Sequence, residues 1–220
     1  MRCTLCGKDV PRKMTSKDHV FPDCLFPPNH KKNLISVRTC KECNNNLSID
    51  EELFLATVIG GRAGATPLGI AVWNKTLSSA LDKNRGLAEA IFRQVTPLKI
   101  PTPWGDHVVP AIEVDMDRLG HVIAKMVRNL FFIEFKQIIP GEVKIEATCL
   151  PLDPELPSTA STKQFVSDMG KLLTRGKRDF EGIVSYRYFR PDPSSTESRW
   201  LFLFFHSVAF WASVPQAKPF

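Results

Sequence analysis
Cys3-Thr4-Leu5-Cys6 near the start of the chain and Cys40-Lys41-Glu42-Cys43 further on are two Cys-x-x-Cys knuckles. Each sets two thiolates on one tight turn at the separation a tetrahedral zinc ion needs, so together they make a four-thiolate site. Gly7, directly after the first knuckle, suits that turn. The 33 residues between Cys6 and Cys40 exceed the commonest zinc-ribbon spacing, so an insertion with a role of its own separates the knuckles. The chain opens without a basic start, an apolar stretch and a small-residue cleavage site, and the expectation is a cytoplasmic protein with reduced thiols. Metal is therefore favoured over disulfides at Cys3, Cys6, Cys40 and Cys43, while Cys24 and Cys149 read as buried free thiols.

With 220 residues and 43% hydrophobic content, the chain can build one substantial core and a small appended module, which excludes a disordered or fibrous protein. Its longest apolar run, Trp200 to Val214, is broken by His206 and Ser207 and is shorter than the roughly 20 residues of a membrane-spanning helix. It reads as buried strands, and no membrane partner is expected. Charge is unevenly spread. Residues 1–50 hold nine Lys/Arg against five Asp/Glu, whereas the other 170 hold 20 against 18. A small basic module of this kind suits contact with phosphates. Charge alone leaves open a merely solvated basic face.

Between the knuckles lie Lys17-Asp18-His19-Val20-Phe21-Pro22 and Asn33-Leu34-Ile35, and the second knuckle runs straight into Asn44. In this order, Cys-x-x-Cys, Asp-His-Val-x-Pro, Asn-Leu and Cys-x-x-Cys-Asn resemble the zinc-containing branch of the HNH endonucleases, over about residues 1–52. The resemblance implies a zinc-stapled ββα-metal module with structural zinc at the four cysteines. It also implies His19 as general base, Asp18 and Asn44 as ligands of one catalytic divalent ion, and Asn33 as support for the loop that carries His19. An Asn capping the turn before a strand from Leu34 to Val37 is the other reading of Asn33. Where many family members have histidine this chain has Asn44, and the harder amide oxygen points to Mg2+ or Mn2+ at the catalytic position. Asn45 and Asn46 leave the register of that ligand open, and Leu47 replaces a lysine common in the family.

The chemistry of these residues agrees with that assignment. Phosphodiester hydrolysis needs an activated water and positive charge on the phosphate and leaving oxygen. An imidazole with an ordinary pKa of about 6.5 can take the proton of the water. Asp18 and Asn44 offer the hard oxygens that Mg2+ or Mn2+ prefers. If Asp18 and His19 lie side by side on a strand their side chains point to opposite faces, so a bulge or turn is required to aim both at one site.

The fold class expected is α+β, with a nuclease module over residues 1–52 and a larger mixed domain over 53–220. Ser48-Ile49-Asp50-Glu51 resembles a capping box opening a helix to about Ile59, broken by Gly60-Gly61-Arg62-Ala63-Gly64. A second helix is expected over Gly86–Val95, an extended spacer over Pro97–Pro103 and a strand over Val108–Met116. Apolar residues at Val122, Ile123, Met126, Val127, Leu130 and Phe131 mark an amphipathic helix between Asp117 and Ile139, ended by Pro140-Gly141. After a proline-rich connection over Pro151–Pro157 come a helix over Thr162–Thr174 and strands over Gly182–Tyr188 and Arg199–Phe205 that could pair as a hairpin.

Lys171, Arg175, Lys177 and Arg178 add local positive charge that, with Lys17, could grip a nucleic acid backbone; a solvated helix end is the commoner source of such a cluster. The function expected is a metal-dependent endonuclease acting on nucleic acid, DNA first, of the sort found in bacterial or phage systems that act on foreign DNA. The C-terminal region would serve substrate choice, homo-oligomerisation or a partner protein. The alternatives are a catalytically silent nucleic-acid-binding module and a zinc-dependent protein-interaction module. For the leading reading, EDTA is expected to abolish plasmid cutting and Mg2+ to restore it while zinc stays bound, as followed by gel assay and elemental analysis.

Overall fold
The structure is a computed structural model that describes residues 1–93, 95–151, 159–178, 180 and 182–217. After the first knuckle, β1 (Thr15–His19) and β2 (Ser36–Cys40) pair antiparallel from Thr15 opposite Cys40 to His19 opposite Ser36. The backbone N–H of Val20 continues the ladder to the carbonyl of Ile35. Helix α1 (Lys41–Asn46) starts on Cys40, whose sulfur accepts the N–H of Cys43 as a cap, and α2 (Ser48–Gly60) follows. This is the expected ββα order, with the second strand lying later than Leu34–Val37.

Three shorter helices come next: α3 (Pro67–Val72), α4 (Ser78–Lys83) and α5 (Arg85–Arg93). The glycine-rich break after α2 holds a short 3-10 turn over Arg62–Ala65. The expected spacer over Pro97–Pro103 is instead largely strand, because β3 (Val95–Thr102) pairs along its length with β4 (Gly105–Ile112). Proline lacks the N–H for an inner ladder, but a two-stranded hairpin has free edges on both sides and tolerates it. Trp104, at the turn, is almost fully exposed.

Helix α6 (Met116–Phe135) is capped by Asp115, whose side chain accepts the N–H of Arg118. It ends at Lys136 in the left-handed conformation, earlier than the Pro140-Gly141 stop that its sequence suggests. Leu119, Val122, Ile123, Met126, Val127, Leu130 and Phe131 are fully buried, as their spacing requires. Beyond it lie β5 (Glu146–Pro151), α7 (Thr159–Leu172), β6 (Thr174–Arg175), β7 (Val184–Phe189), β8 (Ser198–Phe204) and β9 (Val208–Val214). The five strands form one antiparallel sheet in the order β5-β9-β8-β7-β6. The hairpin expected from the sequence is β7 with β8; residues 152–157 of the proline-rich connection lie outside the described residues.

One apolar core runs from the N-terminal module into the sheet. Phe21 lies 5.9 Å from Tyr186 and Phe26 5.1 Å from Phe180 between ring centroids, and Phe54 of α2 packs against Phe204 and Phe210. Arg128 of α6 locks a further contact. Its guanidinium donates to the carbonyls of Ile139, Pro140, Gly141 and Val143 at 2.6–3.2 Å. Gly141 there sits so close to the first knuckle that a Cβ would come 2.5 Å from the Cys6 carbonyl oxygen. No helix among the described residues is long and apolar enough to cross a membrane. Arg128→Met, which leaves those carbonyls without their donor, is expected to lower stability by about 3 kcal/mol in urea unfolding followed by circular dichroism.

Candidate active site
The hairpin and α1 bring the two knuckles together. One sulfur from each of Cys3, Cys6, Cys40 and Cys43 lies within 4.8 Å of the others. A tetrahedral zinc ion with bonds of about 2.3 Å spaces its sulfurs by about 3.8 Å, so this donor set fits zinc. Two sulfurs already accept backbone N–H groups: Cys3 from Cys40 at 3.3 Å and Cys40 from Cys43 at 3.4 Å. Burial would raise the Cys3 thiol, but N–H donors from Cys40, Cys6 and Leu5 outweigh it and lower the thiol below its ordinary value. Burial keeps Cys6 and Cys43 above theirs, so ligation must expel protons. Among the described residues no other group of three or more His, Cys, Asp or Glu side chains comes together in this way.

Ser16, Asp18 and Val20 alternate onto the inner face of β1, and the Asn44 amide of α1 donates to the Ser16 hydroxyl at 3.2 Å. Asp18 is almost fully buried, and both its carboxylate oxygens have partners. The Lys125 ammonium of α6 stands 2.5 Å from Oδ1, and the Asn129 amide donates to Oδ2 at 3.1 Å. Lys125 also pairs with Glu51 of α2, and Asn129 accepts the Thr4 hydroxyl at 2.6 Å, which ties the network back to the first knuckle. Burial pushes the Glu51 carboxyl up despite the ammonium beside it, whereas the two carboxylates more than offset burial at Lys125 and raise it.

A divalent ion bound to Asp18 at about 2.1 Å would sit near this ammonium. Charges of +1 and +2 at 4 Å repel by about 8 kcal/mol at an effective dielectric of 20. With both Asp18 oxygens already paired to Lys125 and Asn129, a divalent ion does not fit at this carboxylate in this arrangement.

His19 lies on the other face. The β1–β2 register contains no bulge from Thr15 to His19, so alternation turns the two side chains to opposite faces at the end of the strand, although the Asp18 charge still acts on the imidazole. His19 shares its outward face with Lys17, and Lys17 lies directly opposite Arg38, both exposed. The Nδ1 atom of His19 is buried and has no hydrogen-bond partner. Burial first, and then the charge of Lys17, hold its imidazole below the ordinary histidine value.

Asn33 takes the left-handed conformation, with φ at 64°, in the β1–β2 connection. Its carbonyl accepts from Arg178 at 2.8 Å, so part of the C-terminal basic cluster stands beside the N-terminal module. Lys177 pairs with Glu134 and Lys171 with Asp168, and Arg175 lies on the short strand β6 opposite Arg187.

Residues 3–54 match the model of a protein family described as HNH endonuclease, the stretch in which the resemblance lies. No curated protein and no solved structure matches the chain. Sequence reasoning missed Lys125, Asn129, Glu51 and Thr4. A signal existed for the first two: Arg118, His121, Lys125 and Asn129 form a polar stripe at helical spacing on the otherwise apolar α6, and Arg118 and His121 both reach Asp50. Cys40→Ser is expected to reduce zinc from one ion per chain to none by elemental analysis and to melt the module, because a closed thiolate site couples directly to folding.

Proposed function
We propose that the protein is a nuclease that hydrolyses phosphodiester bonds of nucleic acid, with DNA as substrate. His19 acts as general base. It takes a proton from a water molecule whose oxygen attacks phosphorus; the bond to the leaving oxygen breaks, and solvent protonates that oxygen. Lys17 and Arg38 on the same hairpin face neutralise phosphate charge beside the reacting bond. The four thiolates hold zinc and supply rigidity, not chemistry.

The observation that carries this reading is an Asp-His pair inside the HNH endonuclease match, with the imidazole on a cationic strand face and its pKa lowered by burial. A base with a lowered pKa is already neutral at pH 7. The rate is therefore expected to be flat around neutrality and to fall only as pH drops through the His19 value, below about 6.5. Mg2+ or Mn2+ at Asp18 and Asn44 is what the family likeness implies.

The second reading, a silent zinc-held nucleic-acid-binding module, is favoured by one observation, the occupation of Asp18 by Lys125. A plasmid nicking assay with Mg2+ or Mn2+ separates the two. Wild-type protein is expected to nick supercoiled DNA, and His19→Ala to slow nicking by about 100-fold or more. Equal rates for the two proteins would remove His19 as the base, and binding without nicking would favour the silent module.

A further inference from the structure
One Zn2+ held by the four thiolates of Cys3, Cys6, Cys40 and Cys43 leaves a net charge of 2 − 4 = −2. A partly buried charge of that size is favoured by a cation nearby. Resting on zinc at these thiolates, and not on nuclease activity, we propose that Arg128 of α6 is that cation and sets how tightly the cluster holds its metal. Arg128 lies outside residues 3–54, the stretch that matches the family.

Arg128 is 9% exposed, and the four acceptors of its guanidinium, on Ile139, Pro140, Gly141 and Val143, are neutral carbonyls that leave its charge uncancelled. Lys125, the other buried cation of α6, is already matched by Asp18 and Glu51. Arg128 also stands beside the cluster. It lines one cavity with Cys43 and with Leu5, the residue before Cys6. Gly141, one of its acceptors, packs on the Cys6 carbonyl, and the next residue of the helix, Asn129, accepts the Thr4 hydroxyl. Successive residues of α6 thus reach the first knuckle. Burial lowers the Arg128 guanidinium, and against burial act Glu142 and then the sulfurs of Cys43, Cys6 and Cys3. Glu142 is exposed and screened by water, whereas Cys3 is buried and Cys6 and Cys43 half-buried. The field of a cation fixed by four carbonyls favours the metal-loaded, anionic cluster over protonated thiols, which are neutral.

The test uses the full-length protein, with zinc content read by elemental analysis and zinc affinity by competition with a chromophoric chelator. Two variants part charge from hydrogen bonding. Arg128→Lys keeps the charge and gives up the planar fork, whereas Arg128→Gln keeps amide donors and gives up the charge. Arg128→Lys is expected to stay within about threefold of wild-type zinc affinity, and Arg128→Gln to lose about tenfold or more. In the Co2+-substituted proteins the sulfur-to-metal charge-transfer band is expected at longer wavelength in Arg128→Gln than in wild type or Arg128→Lys. Sulfur electrons no longer held by a positive charge pass more easily to the metal. A packing role alone would weaken both variants alike and leave the band in place. Equal affinity in wild type and Arg128→Gln, equal losses in the two variants, or an unmoved band in Arg128→Gln overturns the proposal. If Arg128→Gln does not fold, Arg128→Lys decides alone: affinity within about threefold of wild type supports the proposal, and a greater loss overturns it. The two ideas fail separately. Wild-type protein that holds no zinc removes the metal and the role of Arg128 with it, whereas tight zinc that ignores the charge at position 128 removes only the role.

Discussion
A buried ammonium held between two carboxylates joins the two halves of this protein. Taking Lys125, Asp18 and Glu51 out of water costs several kcal/mol per ion, and the arrangement persists only because Asn129 satisfies the other oxygen of Asp18 and is itself satisfied by Thr4. Removing any one charge would strand the others in a low-dielectric interior. The position of α6 over the hairpin is therefore specified by polar pairing as well as by apolar packing. The register of α6 along the hairpin follows, since only one setting puts Lys125 and Asn129 on Asp18 while Arg118 and His121 reach Asp50.

The four-thiolate cluster depends on the same scaffold. A module of some fifty residues buries too little apolar surface to hold itself together, and zinc ligation is one remedy. This chain uses a second. Phe21 and Phe26 pack onto Tyr186 and Phe180, and the Arg128 guanidinium pins the segment that lies against Cys6. The thiolate cluster, aromatic contacts and buried charges thus bear on the same short hairpin, and the site residues of β1 gain two dissimilar environments. On the inner face both Asp18 oxygens are paired, whereas the buried Thr39 hydroxyl opposite Ser16 has no hydrogen-bond partner. The outer face carries the exposed cations Lys17 and Arg38 beside the half-buried His19.

Much of this was legible in the primary structure. The knuckles, the ββα order and the amphipathic α6 follow from local rules of spacing, capping and period, and each element lies close to its expected span. The proline-bearing strand β3 was not legible, because proline argues against a strand until a partner with a free edge is known. Strand β5 carried no local signal that separated it from a loop. The separation of Asp18 from His19 rests on an uninterrupted register, and a bulge is a property of the pair of strands, not of one of them.

The sequence by itself determined that four cysteines come together, that an Asp-His pair sits on the strand between them, and that an apolar helix covers a sheet. Those features depend on neighbours a few residues away or on the fixed donor geometry of thiolates. Only the tertiary structure decided what Asp18 touches. Its partner stands 107 positions further along the chain, and an ion pair across that distance forms only where packing has excluded water and left each charge no alternative to the other.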